Sequence, residues 1–385
     1  MTPSIETAVI LFADRYTPPR DVAAQARLLE SSGVVDTVET ADQMVNFVPP
    51  ALWTPQHAPL ARVLPDIDST SDAFVMGAWC LAAAPSLKLA VSTDAIRRGP
   101  AEFVQTMMTL SNLAGGNATF LIGGGEVKQA RPYGWRRADG LTRMEDLFRA
   151  FHAFFAHDAP FDLQGHHVQF TKAWLGGARH HRPQVWGLGG GPRLIDLVTT
   201  HGDGLCATAP CVWMTPQQAR EDIAAIRQRV AEKGRDPAAF RFGMFCPVLV
   251  HDDARVIDRA LDNPIARWMA ATYGRVDPGD WRREGIEPAV PEGWTYYLKM
   301  LPHDTSPAFL AEVLGKTTRR MAERTFYVGT PAQVAEQMRP FAEAGVSWML
   351  PLDYLPLMLE PEDAAAALPR SIAVCAHLKG RAHVH

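Results

Sequence analysis

The stretch ATFLIGGGEVKQARPYG, residues 118–134, runs from an apolar segment of strand length into three glycines and an acid. A second stretch, PQVWGLGGGPRLIDLV at 183–198, repeats the plan with a short apolar run, glycines, and then a helix opened by Pro192. A strand that empties through glycines into a helix is the first half of a βαβ unit, the connection that parallel strands require. Apolar runs of strand length lie at 5–12, 35–41, 87–93, 118–122, 184–188, 204–208, 242–250 and 346–352. Helical stretches fall between them at 19–32, 100–114, 140–156, 192–201, 215–233, 252–272 and 331–344. Eight strands with intervening helices predict an α/β fold, a (β/α)8 TIM barrel in preference to an open sheet.

The helix at 331 carries the clearest punctuation: Thr330 caps it, Pro331 suits its first turn, and Gly345 ends it. Three stretches exceed the minimal repeat, 44–70 (Pro-rich and aromatic), 158–182 (a hairpin, FDLQGHHVQF, plus loop) and 273–325. With them the chain reads as one barrel domain over 1–385 whose insertions shape the active-site mouth, because loops after barrel strands build that mouth. Ten tryptophans, several of them in these insertions, suit an apolar pocket.

Composition excludes several classes. The 38 basic and 42 acidic residues nearly cancel and form no basic run, so no nucleic-acid footprint is expected. No eighteen-residue apolar stretch suggests a membrane span, and the opening MTPSIETAVILFADR lacks a secretory pattern, so a cytoplasmic protein is expected. The five cysteines are scattered without a CxxC pair, and His166, His167, His180 and His181 have no HExxH context, so no metal is expected.

Two places carry chemistry. Gly125 lets backbone approach a planar ligand, and Glu126 then stands at the C-terminal end of a strand, where barrels place their catalytic groups. Gly189, Gly190 and Gly191, followed by Pro192 and Arg193, combine open N–H groups, a helix dipole and a guanidinium, which makes an anion site suited to a cofactor phosphate. The spacing is not GxGxxG, and no GxxxxGK[ST] occurs, so neither a Rossmann dinucleotide nor a nucleoside triphosphate is indicated. For acid–base work the strand-end candidates are Glu126 and Asp42, with Asp14, Asp94 and Tyr133 behind them.

Taken in order, these segments resemble the luciferase-like monooxygenase superfamily. Gly123, Gly125, Glu126 and Gln129 match its strand-4 motif, Gly189 to Pro192 its small-Gly-Gly-Pro loop, HGDGLCAT (201–208) its next strand, and YVGTPAQVAEQMRPFAEAGVSWMLPLD (327–353) its ending. FVPPALWTPQHAPLA (47–61) and STDAIRRGPAE (92–102) look most like the coenzyme F420-dependent branch, of the phthiodiolone-ketoreductase and methylene-tetrahydromethanopterin-reductase types.

The resemblance implies a cofactor at the barrel mouth, F420 or alternatively FMN, touched by Gln43, Ala90, Val91, Gly125, Gln129, Gly189, Gly190, Gly191, Arg193 and Thr208. It also implies a non-proline cis bond between Ala90 and Val91 and a homodimer. Gln43 after Asp42 and Cys211 stand where sugar-phosphate-oxidising relatives carry His and Lys, which argues against that activity. The expected function is F420-dependent hydride transfer to or from a carbonyl, imine or activated alkene of a fairly apolar small molecule. The alternative is an FMN-dependent two-component monooxygenase.

Overall fold

The structure, a computed structural model, describes residues 5–381; the outermost residues of the 1–385 domain reading lie outside them. Eight parallel strands form the barrel: β1 Glu6–Ile10, β2 Thr37–Ala41, β3 Lys88–Asp94, β4 Ala118–Gly123, β5 Gln184–Leu188, β6 Gly204–Thr208, β7 Arg241–Val250 and β8 Trp348–Asp353. Each pairs with its sequence neighbour, and β8 pairs with β1, which closes the ring. All eight strands foreseen from the sequence are present. A short additional strand, Tyr327–Gly329, pairs with the end of β7.

Period-two alternation divides the core into two layers. Ala8, Ala90, Leu121, Trp186, Cys206, Trp348 and Leu350 fill the barrel interior. Their chain neighbours Val9, Leu89, Val91, Phe120, Ile122, Val185, Leu205 and Ala207 face outward into the helix layer. The N-terminal end of the barrel is stoppered by Glu6, which accepts from Thr37 Oγ1 at 2.8 Å and pairs with Lys88 Nζ at 2.9 Å and Arg241 Nη1 at 3.2 Å. The opposite end is left as the mouth.

Helix punctuation follows the sequence closely. Thr330 and Gln333 form a reciprocal capping box around Pro331, and Gly345 takes φ +115 after the helix Pro331–Glu343. The stretch 252–272 differs from expectation: it is two helices, Ala254–Asp262 and Pro264–Tyr273, because Pro264 cannot continue the first and Asn263 caps the second. The helix Ala73–Ala83, capped by Asp72, supplies the β2–β3 crossover. The Ala90–Val91 bond is trans, contrary to the expectation from resemblance. Both residues stay in register with β2 and β4, so the ladder there is continuous. No helix among the described residues is long and apolar enough to cross a membrane.

Candidate functional site

Strand β3 ends in Ser92, Thr93 and Asp94, and Asp94 turns the chain by accepting from the backbone N–H of Ile96 at 2.8 Å and of Arg97 at 3.2 Å. Arg97 folds back over this turn. Its Nε donates to Asp94 Oδ2 at 2.7 Å, and its Nη2 donates to Asp42 Oδ2 at 2.8 Å and to the Asp42 carbonyl at 2.7 Å. Arg98 and the Thr93 hydroxyl also donate to Asp42 Oδ2, at 2.5 and 2.6 Å. Asp42, sequence-read as catalytic, is thus a buried hub joining the end of β2 to the loop after β3. A carboxylate gripped by two guanidiniums and a hydroxyl is well built for positioning.

The Gly-Gly-Gly-Glu turn after β4 needs a glycine at 125, since its φ is +79 and a Cβ there would sit 2.5 Å from Ile96 Cδ1. Glu126 follows, its side chain 26% exposed, with its Oε2 3.0 Å from Lys128 Nζ. Lys128 is fully enclosed; it donates to the Val45 carbonyl at 2.7 Å and lies 4.0 Å over the Phe47 ring. Burial lowers the pKa of its ammonium, and Glu126 opposes that shift. Gln129 grips the same loop, accepting from Met44 N–H at 2.8 Å and donating to the Val45 carbonyl at 2.8 Å, so its amide is committed to backbone.

The loop so held presents Phe47 to Tyr273 (centroids 5.3 Å apart) and Tyr296 (6.0 Å), an aromatic wall drawn from the insertions 44–70 and 273–325. The Tyr273 hydroxyl lies 3.3 Å from Thr208 Oγ1, which ties this wall to the end of β6.

The second glycine cluster lies at the end of β5. Gly189 has φ +133, and a Cβ on Gly190 would come within 2.3 Å of Val212 Cγ1, so the loop lies flat against the segment after β6. Gly191 is the N-cap of the helix Pro192–His201, whose first N–H groups have no partner within the helix. Arg193 is exposed beside them. Of the other sequence-read positions, Ala90 faces the barrel interior and Val91 the helix layer, both fully enclosed, whereas Gln43 opens onto the cleft.

That cleft, of about 960 Å³, lies over the ends of β2, β3 and β4 and is lined by Gln43, Asp42, Arg98, Lys128, Tyr133 and His303 among others. The insertions 44–70 and 273–325 both reach it; the hairpin Phe161–Gln164 and Gln169–Ala173 does not. Instead Asp146, on the helix Gly140–Ala156, accepts from the backbone N–H of His166 and His167 in the hairpin turn, both at 2.7 Å. Asp14, another sequence-read candidate, caps its own turn through Tyr16 and Thr17, and Tyr133 is exposed at the rim.

Sequence reasoning did not single out Lys128, Arg97 or Arg98 as site groups, although GGGEVK and DAIRRGP contain them. It also gave no role to Glu39. This carboxyl sits fully enclosed in the barrel, accepts from Ser92 Oγ at 2.6 Å, and leaves Oε2 without a partner. Burial raises its pKa from 4.5 to about 7, with the Ser92 hydrogen bonds opposing. The folded state therefore binds this proton more tightly than the unfolded chain. The associated stability is complete below about 4.5 and is lost as the pH rises through about 7. Glu39→Gln, neutral throughout, should be more stable than wild type by about 2–3 kcal/mol above about pH 8, the gain fading on the acid side. Urea unfolding at both ends of the range measures this; a pH-independent difference would contradict it.

A family model described as luciferase-like monooxygenase matches residues 7–347. A phthiodiolone/phenolphthiodiolone dimycocerosates ketoreductase of Mycobacterium kansasii is 24% identical over 327 residues, covering 82% of this chain and 86% of the relative. An F420-dependent secondary alcohol dehydrogenase in complex with an F420-acetone adduct has a similar fold, with TM-score 0.64 at 18% identity over 97% of this chain and 99% of that one. So does a riboflavin lyase with modified FMN and riboflavin, with TM-score 0.66 at 15% identity over 99% and 93%.

Proposed function

The chain belongs to the luciferase-like monooxygenase family, and from that premise we propose that it is a coenzyme F420-dependent oxidoreductase acting on a carbonyl, imine or activated alkene, or on the corresponding reduced compound. The observation that carries this reading is the mouth itself. A glycine turn ending in Glu126 and a glycine-lined helix N-terminus beside Arg193 stand on neighbouring strands, next to an aromatic wall. Likeness to the mycobacterial ketoreductase across most of both chains favours reduction of a carbonyl over the alternative, an FMN-dependent two-component monooxygenase, and the deazaflavin follows from the branch that the sequence resembles.

The residues fit the cofactor's parts. Gly189, Gly190, Gly191 and Arg193 would hold its phosphate and the charge that follows, through N–H groups and a guanidinium that no other group in the helix turn uses. Gln43, Gly125 and Thr208 would border its ring, with Ala90 and Val91 acting from the strand beneath and Gln129 acting through the loop it holds. The deazaflavin, when bound, supplies the hydride chemistry. Glu126 gives a proton to the substrate atom next to the reacting centre, or takes one in the reverse direction. Asp42 orients the site through Arg97 and Arg98, and Phe47, Tyr273 and Tyr296 exclude water and favour a fairly apolar substrate.

We also propose a single barrel domain whose insertions 44–70 and 273–325 shape the mouth, working in the cytoplasm as a homodimer. The helix Ala73–Ala83 favours self-association, because it carries no charge and exposes Val75 and Trp79.

Titrating the apo-protein with F420 and with FMN tests the cofactor assignment. Tight F420 binding with substrate-linked loss or gain of its absorbance is expected; preferential FMN binding with oxygen-dependent turnover would overturn it. Arg193→Ala should weaken cofactor binding by about 1–3 kcal/mol, the range for a lost charge-assisted hydrogen bond, with turnover at saturation little changed. An unaltered dissociation constant would remove Arg193 from the site.

A further inference from the structure

The loop between the Glu126 turn and the helix Gly140–Ala156 carries a cation that the site described so far does not use. Arg137 lies in a tight turn directly before that helix, and its Nε is enclosed with no hydrogen-bond partner. The neighbouring acids are engaged elsewhere: Glu126 pairs with Lys128 at 3.0 Å and Asp139 with Arg136 at 3.8 Å. Its guanidinium lies 5.5 Å from the Tyr297 ring centroid, next in the chain to the Tyr296 of the aromatic wall. The lack of a side chain on Gly140 lets it pack on the Gly124 carbonyl, and Arg137 lies beside this packed turn, its Nη1 3.3 Å and Nη2 3.6 Å from where side chains on Gly140 and Gly124 would begin.

Burial lowers the pKa of this group, while Tyr297, Glu126, Tyr296 and Asp94 oppose the shift in that order. A planar fork of donors held in a partly dry place without a counter-ion is costly by itself and matches an oxyanion.

We propose that Arg137, which lies beside the Glu126 turn and Tyr297 rather than in the cleft over β2 to β4, binds an oxyanion there, a carboxylate or similar anion carried by an otherwise apolar substrate. This rests on the mouth being the reaction site, as argued above. Arg137 projects from the loop after β4, whereas the glycine-lined anion site opens after β5, so the two cations serve different groups. Glu126, which pairs with Lys128 and whose charge also acts on Arg137, then faces a substrate anchored at its charged end. Tyr297 supports the guanidinium from its ring face.

The same chemistry could be met by a carboxylate of the cofactor, and the test separates the two sources. Acetate and inorganic phosphate are titrated into apo-protein and read by tyrosine fluorescence and thermal melting, in wild type, Arg137→Gln, Arg137→Lys and Arg193→Ala. Part of the wild-type response should be lost in Arg137→Gln, where affinity falls by roughly tenfold or more, and should survive in Arg137→Lys and Arg193→Ala. The F420 dissociation constant of Arg137→Gln should match wild type.

A response identical in wild type and Arg137→Gln would overturn the proposal. So would an F420 constant raised tenfold in Arg137→Gln, because the oxyanion would then be the cofactor's. Circular dichroism identifies a misfolded Arg137→Gln, in which case the retained response of Arg137→Lys against its loss in Arg137→Met decides. If F420 fails to bind wild type, the oxidoreductase reading fails, and the apo-protein titrations still decide the role of Arg137.

Discussion

Glu126→Gln is expected to lower turnover by about 10²–10⁴-fold while leaving fold and cofactor affinity close to wild type, the range for loss of a general acid or base. The expectation rests on where the side chain stands. Gly125 bends the chain in a conformation that favours glycine, and the next residue projects at the strand end with about a quarter of its side chain open. Behind it is Lys128, an ammonium whose charged form burial disfavours, 3.0 Å from the carboxylate. A proton that Glu126 passes to substrate can be replaced from this neighbour, and in the reverse direction the ammonium steadies the carboxylate that accepts the proton. Glutamine keeps the shape and a hydrogen-bonding oxygen but cannot cycle a proton. The measurement is kcat at saturating cofactor beside the cofactor dissociation constant. Weak cofactor binding with normal turnover once saturated would make Glu126 a positioning residue and return the proton to Asp42, Tyr133 or water. Of these, Asp42 is already held by two arginines and Tyr133 stands exposed at the rim.

The barrel was legible because each strand is a short, nearly unbroken apolar run followed by a turn and a helix. Ala8 beside Val9, Ala90 between Leu89 and Val91, and Leu121 between Phe120 and Ile122 are apolar on both faces because one faces the barrel interior and the other the helix layer, and that run is local in sequence. The helix at 331 was legible for the same reason, since its cap, its first proline and its closing glycine are consecutive features. The helix Ala73–Ala83 left no such trace. Its sequence, AFVMGAWCLAA, is apolar on every side and so shows no period, with only Asp72 to announce it.

What the sequence shows of the candidate site is its two glycine turns at strand ends, which the structure places after β4 and β5. Its charges were not legible. Arg97 meets Asp42 across fifty-five positions, Lys128 meets Val45 across eighty-three, and the Arg137 guanidinium finds Tyr297 in the insertion 273–325. Convergence of that kind is a product of closure of the barrel, and no local window contains it. Glu39 shows the converse: an acid in a strand reads as a solvated face, and only the closed interior makes it a buried carboxyl.

Arg97→Ala should produce the largest loss of stability of any single change at the mouth, about 3–5 kcal/mol, the range for breaking a buried ion pair by removing one partner. The Arg97 side chain is 4% exposed and serves two carboxylates, Asp42 at 6% and Asp94 at 7%. Removal leaves both in a poorly hydrated place. Their partial compensation is unequal: Asp42 keeps Arg98 and the Thr93 hydroxyl, whereas Asp94 keeps only the backbone N–H groups of its own turn. The loss should therefore concentrate at Asp94 and loosen the loop that ends β3, on which Ile96 packs against Gly125. Loosening there reaches the Glu126 turn, so Arg97→Ala should lower kcat as well as the urea midpoint. Adding Asp94→Asn should recover a good part of the stability, because the uncompensated charge is gone while the cap of the turn remains. If Arg97→Ala unfolds at the wild-type urea concentration, or if Asp94→Asn in that background gives no recovery, the buried network is not what holds the mouth together.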